Sequence, residues 1–174
     1  MRELVSYGRA PYKTSFFSRT TAKDREMIDW ALTETNMMEF QHRPIGAMSG
    51  GQRQRAWIAM AIAQDTEILF LDEPTSFLDV AHQMEVLRLV QHLNEAYGKT
   101  IVMVLHELNQ AARFAHCLVG MCRGQLLYCG TPEEVFHKEM LHRVFHIDAE
   151  LMSDPRTGKP MCIPYCVNES EHSA

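Results

Sequence analysis

The segment EILFLDEP, residues 67–74, decides how this sequence folds. Its apolar run has the length of a strand and no polar alternation, which is typical of a parallel strand buried on both faces. Two acids follow, at the end where open α/β sheets bind ligands. Asp72 is suited to hold Mg²⁺ through water, and Glu73 to polarise a water that attacks phosphorus. The alternative for this segment alone is a strand that runs into an acidic turn.

A second apolar run, TIVMVLH at residues 100–106, predicts a neighbouring strand. A helix is expected between the two runs, with Asp79 as its N-cap and Gly98 just past its end. The second run finishes in His106, which we expect at the same sheet edge as the two acids. A lone histidine in such a place is more often a packed or capping residue. The strand–helix–strand order predicts an α/β fold with a parallel sheet.

The segment AMSGGQRQR, residues 47–55, predicts a helix start that can hold an anion. Ser49 and Gln52 have the spacing of a capping box, in which each residue accepts a hydrogen bond from the other's backbone. The glycines let backbone N–H groups approach a ligand closely. The partial positive charge of a helix N-terminus favours a phosphate there. The alternative is an ordinary capped helix.

In this order, MSGGQ, ILFLDEP, SFLD and VLH resemble the signature motif, Walker B, D-loop and switch histidine of ATP-binding cassette (ABC) ATPases. Longer stretches, such as QDTEILFLDEPTSFLDVAHQ and DPRTGKPMCIP, are similar to ATPase subunits of iron–siderophore importers. The resemblance runs from Arg2 to Pro164, with Met48 in place of the more usual leucine and Glu107 where aspartate is common. It implies a partial P-loop NTPase (ABC ATPase) fold with a helical subdomain and a parallel core sheet.

The resemblance also implies roles for individual residues. Glu73 would be the general base, and His106 would grip the γ-phosphate of ATP and help to place the attacking water. Asp72 would serve Mg²⁺, and Asp79 would communicate across a dimer interface. The signature residues would contact ATP held by the other subunit. The nucleotide-binding set is then Ser49, Gly50, Gly51, Gln52, Asp72 and Asp79.

A Walker A loop, G-x-x-x-x-G-K-[ST], is expected with these motifs, because its N–H groups and lysine cradle the phosphates. The segment YGKT at residues 97–100 fails, since Leu93 holds the first glycine position. TGKP fails because Pro160 replaces the hydroxyl residue. We therefore expect the chain to correspond to the C-terminal portion of such a subunit. By itself it should bind ATP weakly at best and be inactive.

Three segments are predicted along the chain: a helical subdomain with the signature motif at 1–60, the Walker B and switch-histidine part of the core at 61–150, and a C-terminal tail at 151–174. Thr21 is expected to cap a helix from Ala22, with an apolar stripe that includes Met27 and Leu32. CLVGMC and QLLYCG read as two strands of a hairpin. The end, NESEHSA, is predicted to be disordered.

Composition narrows the class of protein. The net charge of −5 and pI near 6.0 argue against generic nucleic-acid binding. Apolar runs fall short of the roughly 20 residues of a membrane span.

The five cysteines match no zinc spacing and are expected as reduced thiols. His142 and His146 are spaced for a metal on a helix, but a packed or solvated pair is favoured over a site.

The expected function is therefore the ATP-binding and hydrolysing subunit of an ABC importer for ferric siderophores, with ATP and Mg²⁺ as cofactors. Its partners would be a second ATPase subunit and transmembrane permease subunits, at the cytoplasmic face of the cell membrane. Two alternatives stay open. One is a soluble ABC ATPase of another class, and the other is a non-catalytic remnant or binding module that only contributes a signature motif. The cargo itself is not indicated by these motifs.

Overall fold

The computed structural model describes residues 1–13 and 19–167, which group into two compact units, Met1–Val104 and Leu105–Ala174. This grouping differs from the three segments expected from the sequence, because the signature helix and both strands of the parallel sheet belong to the first unit. The disorder predicted for NESEHSA lies outside the described residues. Within the described ranges, no helix is long and apolar enough to cross a membrane.

Over its described residues, the first unit combines four α-helices with a two-stranded parallel sheet. The helices are α1 (Arg2–Tyr7), α2 (Ala22–Glu34), α3 (Gly50–Ala63) and α4 (Val80–Tyr97), with short 3₁₀ turns at Ala10–Tyr12, Met38–Phe40 and Ile45–Ala47. Strands β1 (Ile68–Asp72) and β2 (Thr100–Val104) pair in parallel, from Ile68 opposite Thr100 to Asp72 opposite Val104. The α/β class and the strand–helix–strand order are confirmed.

The helix ends follow the local chemistry of the sequence. Thr21 and Asp24 form a complete capping box at the start of α2. Asp79 caps α4 by accepting a hydrogen bond from the backbone N–H of His82. Gly98 ends α4 with φ of 64°, a left-handed conformation that glycine adopts without steric cost. These three predictions are confirmed, because caps depend on neighbours within a few residues and not on the rest of the fold.

The core of the first unit lies where α1 and α2 pack on α3. The stripe of α2 is buried as predicted: Met27, Ile28, Ala31 and Leu32. Alanines on α3 are buried, among them Ala56, Ala59 and Ala63. Their small side chains reduce the width of the helix where its neighbours pack. At Gly8 a Cβ atom would lie 2.1 Å from the carbonyl oxygen of Met60, so only glycine permits the observed approach of α1 to α3.

The two strands are not buried on both faces, and that prediction is wrong. Leu69 is 6% exposed and packs into the core, but Phe70 is 74% exposed and Val102 is 46% exposed. Ile68 and Val104 share the exposed side. The physical reason is that no second layer of described residues in this unit covers that face. A continuous apolar run indicates that a strand suits burial, but the covering layer must come from elsewhere.

A buried ion pair connects three helices of this unit. Arg9, 5% exposed, donates from Nε to Oδ1 of Asp24 at 3.0 Å and from Nη1 to the carbonyl oxygen of Ala63 at 2.9 Å. The carboxylate also accepts hydrogen bonds from the hydroxyl and the backbone N–H of Thr21. Those bonds, followed by the Arg9 guanidinium, lower the pKa of Asp24 to about 2 against the opposing effect of burial.

The second unit has its own small core. The helices and strands of this unit are α5 (Leu108–Phe114), β3 (Leu118–Cys122), β4 (Gln125–Gly130), α6 (Pro132–Val135), α7 (Lys138–Phe145), β5 (Ile147–Ser153) and β6 (Pro160–Val167). The predicted hairpin of β3 and β4 is confirmed, and its turn places Arg123 and Gly124 at positive φ. Thr131 caps α6 with Pro132 in its first turn, also as predicted. Phe136 and Leu141 are buried in this core.

The tail predicted for 151–174 is wrong over its described part. β5 and β6 form an antiparallel hairpin, and Cys162 on β6 is buried. Asn109 of α5 holds the second strand, since its side chain accepts from the backbone N–H of Cys162 and donates to its carbonyl oxygen. Three prolines and a glycine in this stretch concealed the strands. His146 is also not helical, because it ends α7 with φ of 55°.

The buried pair generates a prediction about acid stability. The pKa of Asp24 is near 2 when folded, below its unfolded value of about 3.9. The ionised carboxylate should therefore contribute about 2 kcal/mol to the free energy of unfolding above about pH 4, and this contribution should disappear as the pH falls toward 2. Asp24→Asn should lower the free energy of unfolding at pH 7 by about 3 kcal/mol, because Arg9 is left buried and unpaired.

Urea denaturation across this pH range measures the effect. Asp29→Asn is the matched control on the same helix, because Asp29 pairs with Arg2 but its side chain is 50% exposed. That variant should lose less than about 1 kcal/mol. Equal losses for the two variants at pH 7 would contradict the role assigned to the buried pair.

Candidate functional site

The signature segment begins α3 in the way the sequence predicted. Ser49 is the N-cap, and its Oγ accepts a hydrogen bond from the backbone N–H of Gln52 at 3.3 Å. In return, Oε1 of Gln52 accepts from the backbone N–H of Ser49 at 3.1 Å. The capping box is confirmed. The N–H groups of Gly50 and Gly51 occupy the first two helical positions, where an α-helix provides no intrahelical acceptor.

The two glycines of this segment have different environments. Gly50 is exposed, and a Cβ atom there would only touch Leu78 Cδ2 at 3.7 Å. Gly51 is buried, and a Cβ atom there would lie 2.3 Å from Cδ2 of His82. A larger residue at position 51 would therefore have to displace the imidazole that lies behind the helix. The sequence had suggested only close approach of a ligand as the reason for both.

His82 joins the signature helix to the turn before α4. Its Nδ1 lies 2.8 Å from both carboxylate oxygens of Asp79, while its ring fills the space beside Gly51. The backbone hydrogen bond from His82, and then the contact with its side chain, lower the pKa of the Asp79 carboxyl. Of the residues expected in the site, Asp79 and Gly51 are thereby brought together through a third residue.

Sequence reasoning missed His82. It stands three residues after Asp79, which is the spacing at which a side chain on the first turn of a helix can return to its own N-cap. That signal was available in the sequence. The contact with Gly51 was not, because those two residues are about 30 positions apart and meet only through the packing of α3 and α4.

The two acids occupy the carboxyl end of β1. Asp72 is the last residue of the strand, and its carboxylate is exposed and makes no hydrogen bond or ion pair with the described residues. Glu73 follows with φ of 46°, a conformation that costs a non-glycine residue free energy. Its Oε2 accepts a hydrogen bond from Oγ of Ser76 at 2.9 Å. The strained backbone turns the chain sharply, immediately after the strand.

The turn that follows presents an aromatic side chain to solvent. Phe77 has φ of 62° and is fully exposed. Pro74 and Thr75 beside it are buried, which fixes the base of the turn. This short segment therefore connects the acids of β1 to the Asp79 cap of α4.

His106 lies two residues beyond the end of β2 and is exposed. It belongs to the second unit, whereas Asp72 and Glu73 belong to the first. Its expected place beside the acids stays a prediction. Among the described residues, no group of three His, Cys, Asp or Glu side chains is arranged to hold a metal ion.

The residues present suit Mg²⁺ and a phosphate. Asp72 offers an exposed carboxylate, and Mg²⁺ binds through one or two carboxylates with water and phosphate oxygens as its other ligands. Gly50 offers an exposed backbone N–H at a helix start, where an anion is favoured. Asp72 would hold the ion, which would neutralise phosphate charge when bound.

The comparisons with known proteins agree with these motifs. Residues 4–76 match the family described as ABC transporter. The chain is 53% identical over 171 residues to the iron(3+)-hydroxamate import ATP-binding protein FhuC of Bacillus subtilis, covering 98% of this chain and 63% of that protein. It is 47% identical to the petrobactin import ATP-binding protein FpuC of Bacillus anthracis, covering 94% of this chain and 59% of that protein. The chain thus spans about three fifths of the length of these relatives.

Solved structures show the same fold. A metal-chelate type ABC transporter in an inward-facing conformation matches with a TM-score of 0.86 and 28% identity, over 95% of this chain and 66% of that chain. A dimeric ATP-binding cassette in a post-hydrolysis state, bound to ADP and Pi, matches with a TM-score of 0.59 and 27% identity, over 74% of this chain and 56% of that chain.

The contact between Gly51 and His82 can be tested by a double-mutant cycle. Gly51→Ala should lower the free energy of unfolding by about 1–3 kcal/mol, because the added methyl group overlaps the imidazole. In a His82→Ala background the same change should cost at least about 1 kcal/mol less. Thermal or urea unfolding of the four proteins gives the coupling. Gly50→Ala is the matched control and should not destabilise the chain, and additive losses for Gly51 and His82 would refute the contact.

Proposed function

We propose that the chain is a member of the ABC transporter family, whose description matches residues 4–76, and that it acts as the ATP-binding subunit of an importer for ferric siderophores or similar iron chelates. The observation that carries this proposal is the agreement between the relatives, which are named for iron(3+)-hydroxamate and petrobactin import and match 94–98% of the chain. The local geometry supports it, since a capped signature helix and an acid pair at the carboxyl end of β1 lie in one compact unit.

In this proposal the chain's residues act in two groups. Ser49, Gly50 and Gly51 receive the γ-phosphate of ATP bound by a second ATPase subunit, with Gln52 holding the cap that presents them. Asp72 holds Mg²⁺, and Glu73 takes the proton of the water that attacks phosphorus.

Two further residues complete this arrangement. His106 contacts the γ-phosphate, and Asp79, with His82 behind it, transmits the state of one subunit to the other. Closure of the two subunits around ATP would drive a transmembrane permease at the cytoplasmic face of the membrane.

A second candidate function is a module that lends only its signature helix to another ATPase subunit. The observation behind it is that these 174 residues contain the signature segment but not G-x-x-x-x-G-K-[ST]. Without that loop the chain has no lysine and no cradle of N–H groups for the phosphates of its own ATP. A soluble ABC ATPase of another class gains no support from the relatives' names.

Replacement of the proposed general base separates the two functions. Glu73→Gln should reduce uptake of radiolabelled ferric hydroxamate at least about 100-fold in cells whose uptake depends on this gene, because the attacking water loses its base. Glu67→Gln is the matched control, an exposed glutamate just before β1, and should leave uptake unchanged. Unchanged uptake in the Glu73 variant, with normal protein levels, would favour the signature-only module.

Nucleotide binding by the purified chain gives an independent check. We expect a dissociation constant for Mg-ATP weaker than about 1 mM, which corresponds to about −4 kcal/mol, because the main phosphate cradle is absent. Calorimetric titration with and without Mg²⁺ measures it. Micromolar, magnesium-dependent binding would show that the chain carries a complete nucleotide site.

A further inference from the structure

Two thiols in the second unit lie close enough to share one ligand. Cys117 and Cys129 have their Sγ atoms 3.9 Å apart, and both side chains are exposed. Cys129 lies on β4 opposite Val119, and Cys117 immediately precedes β3. The two cysteines are therefore diagonal neighbours at the open end of the β3–β4 hairpin. Neither residue has a place in the proposed ATPase chemistry.

The separation of the sulfur atoms suits a bridging ion. Metal–thiolate bonds of the zinc type are about 2.3 Å long, so two thiolates on one tetrahedral ion lie about 3.8 Å apart. A disulfide needs sulfur atoms at about 2.05 Å and Cα atoms within about 7 Å. Diagonal neighbours on a hairpin typically have Cα atoms about 7–8 Å apart, at or beyond the upper limit for a disulfide, whereas the 3.9 Å between these sulfur atoms is the separation that a bridging ion needs.

We propose that Cys117 and Cys129 form a two-thiolate site for a thiophilic divalent metal ion of the Zn²⁺ or Cd²⁺ type. On binding, each thiol releases one proton and forms one sulfur–metal bond, and no electrons are transferred. Within the described residues no third His, Cys, Asp or Glu joins the pair. Water or small thiols from solution therefore complete the coordination, which the exposure of both cysteines allows.

The electrostatics of the pair agree with this geometry. The hydrogen bond with Cys117, and then its negative charge when ionised, raise the pKa of Cys129. Two adjacent thiolates repel each other, and a divalent cation between them removes that repulsion. The other cysteines offer matched controls: Cys122 is partly buried at the turn end of β3, and Cys166 is exposed on β6.

Titration of the reduced full chain with Cd²⁺ tests the site, through the ultraviolet charge-transfer band of cadmium–thiolate bonds. The variants are Cys117→Ser, Cys129→Ser, Cys122→Ser and Cys166→Ser, with circular dichroism in the absence of metal to show that each is folded. We expect one Cd²⁺ per chain in the original protein. The apparent affinity should fall at least 10-fold in the first two variants and by less than 2-fold in the last two.

Three outcomes would overturn the proposal. One is a band that survives both the Cys117 and Cys129 variants, and another is an equal loss in the Cys122 or Cys166 variant. The third is that glutathione disulfide removes two titratable thiols from the metal-free original chain but not from the Cys117 or the Cys129 variant. That result would assign a disulfide to the pair. None of these results depends on ATP hydrolysis, so failure here leaves the proposed function unaffected.

Discussion

The ion pair of Arg9 and Asp24 is the constraint on which the first unit depends. Burial of two charges is costly unless hydrogen bonds complete their shells, and here Thr21 and the carbonyl oxygen of Ala63 do so. Because Arg9 follows α1, Asp24 lies in the first turn of α2 and Ala63 ends α3, one pair connects three helices. Arg9 thereby holds the C-terminal end of the helix whose N-cap is Ser49.

The sequence predicted those parts of the molecule that depend on neighbours a few residues apart. The capping box of Ser49 and Gln52 is local chemistry, as are the caps at Thr21 and Asp79 and the left-handed Gly98, and the structure contains them all. The parallel pairing of two apolar runs also followed from their separation by a helix.

Features that depend on distant packing were not predictable in this way. The burial of Gly51 against His82 requires α3 and α4 to meet, and the exposed face of Phe70 and Val102 depends on what layer covers it. Pro160 and Pro164 lie on β6, and prolines ordinarily argue against a strand, yet the hairpin forms at a sheet edge where a missing N–H is tolerated. The positions of functional side chains are harder still to predict from the sequence, because the expected partners Glu73 and His106 fall in different units.

The parallel pairing of β1 and β2 also has a kinetic consequence. Its partners are about 30 residues apart in sequence and are joined through α4, whereas the β3–β4 hairpin closes over a two-residue turn. A hairpin forms in microseconds from local contacts, but a parallel pair must wait for its crossover. During synthesis on the ribosome, β1 therefore emerges before β2 and cannot pair with it until Val104 has left the exit tunnel. In that interval the apolar residues of β1 can be bound by chaperones that hold nascent chains.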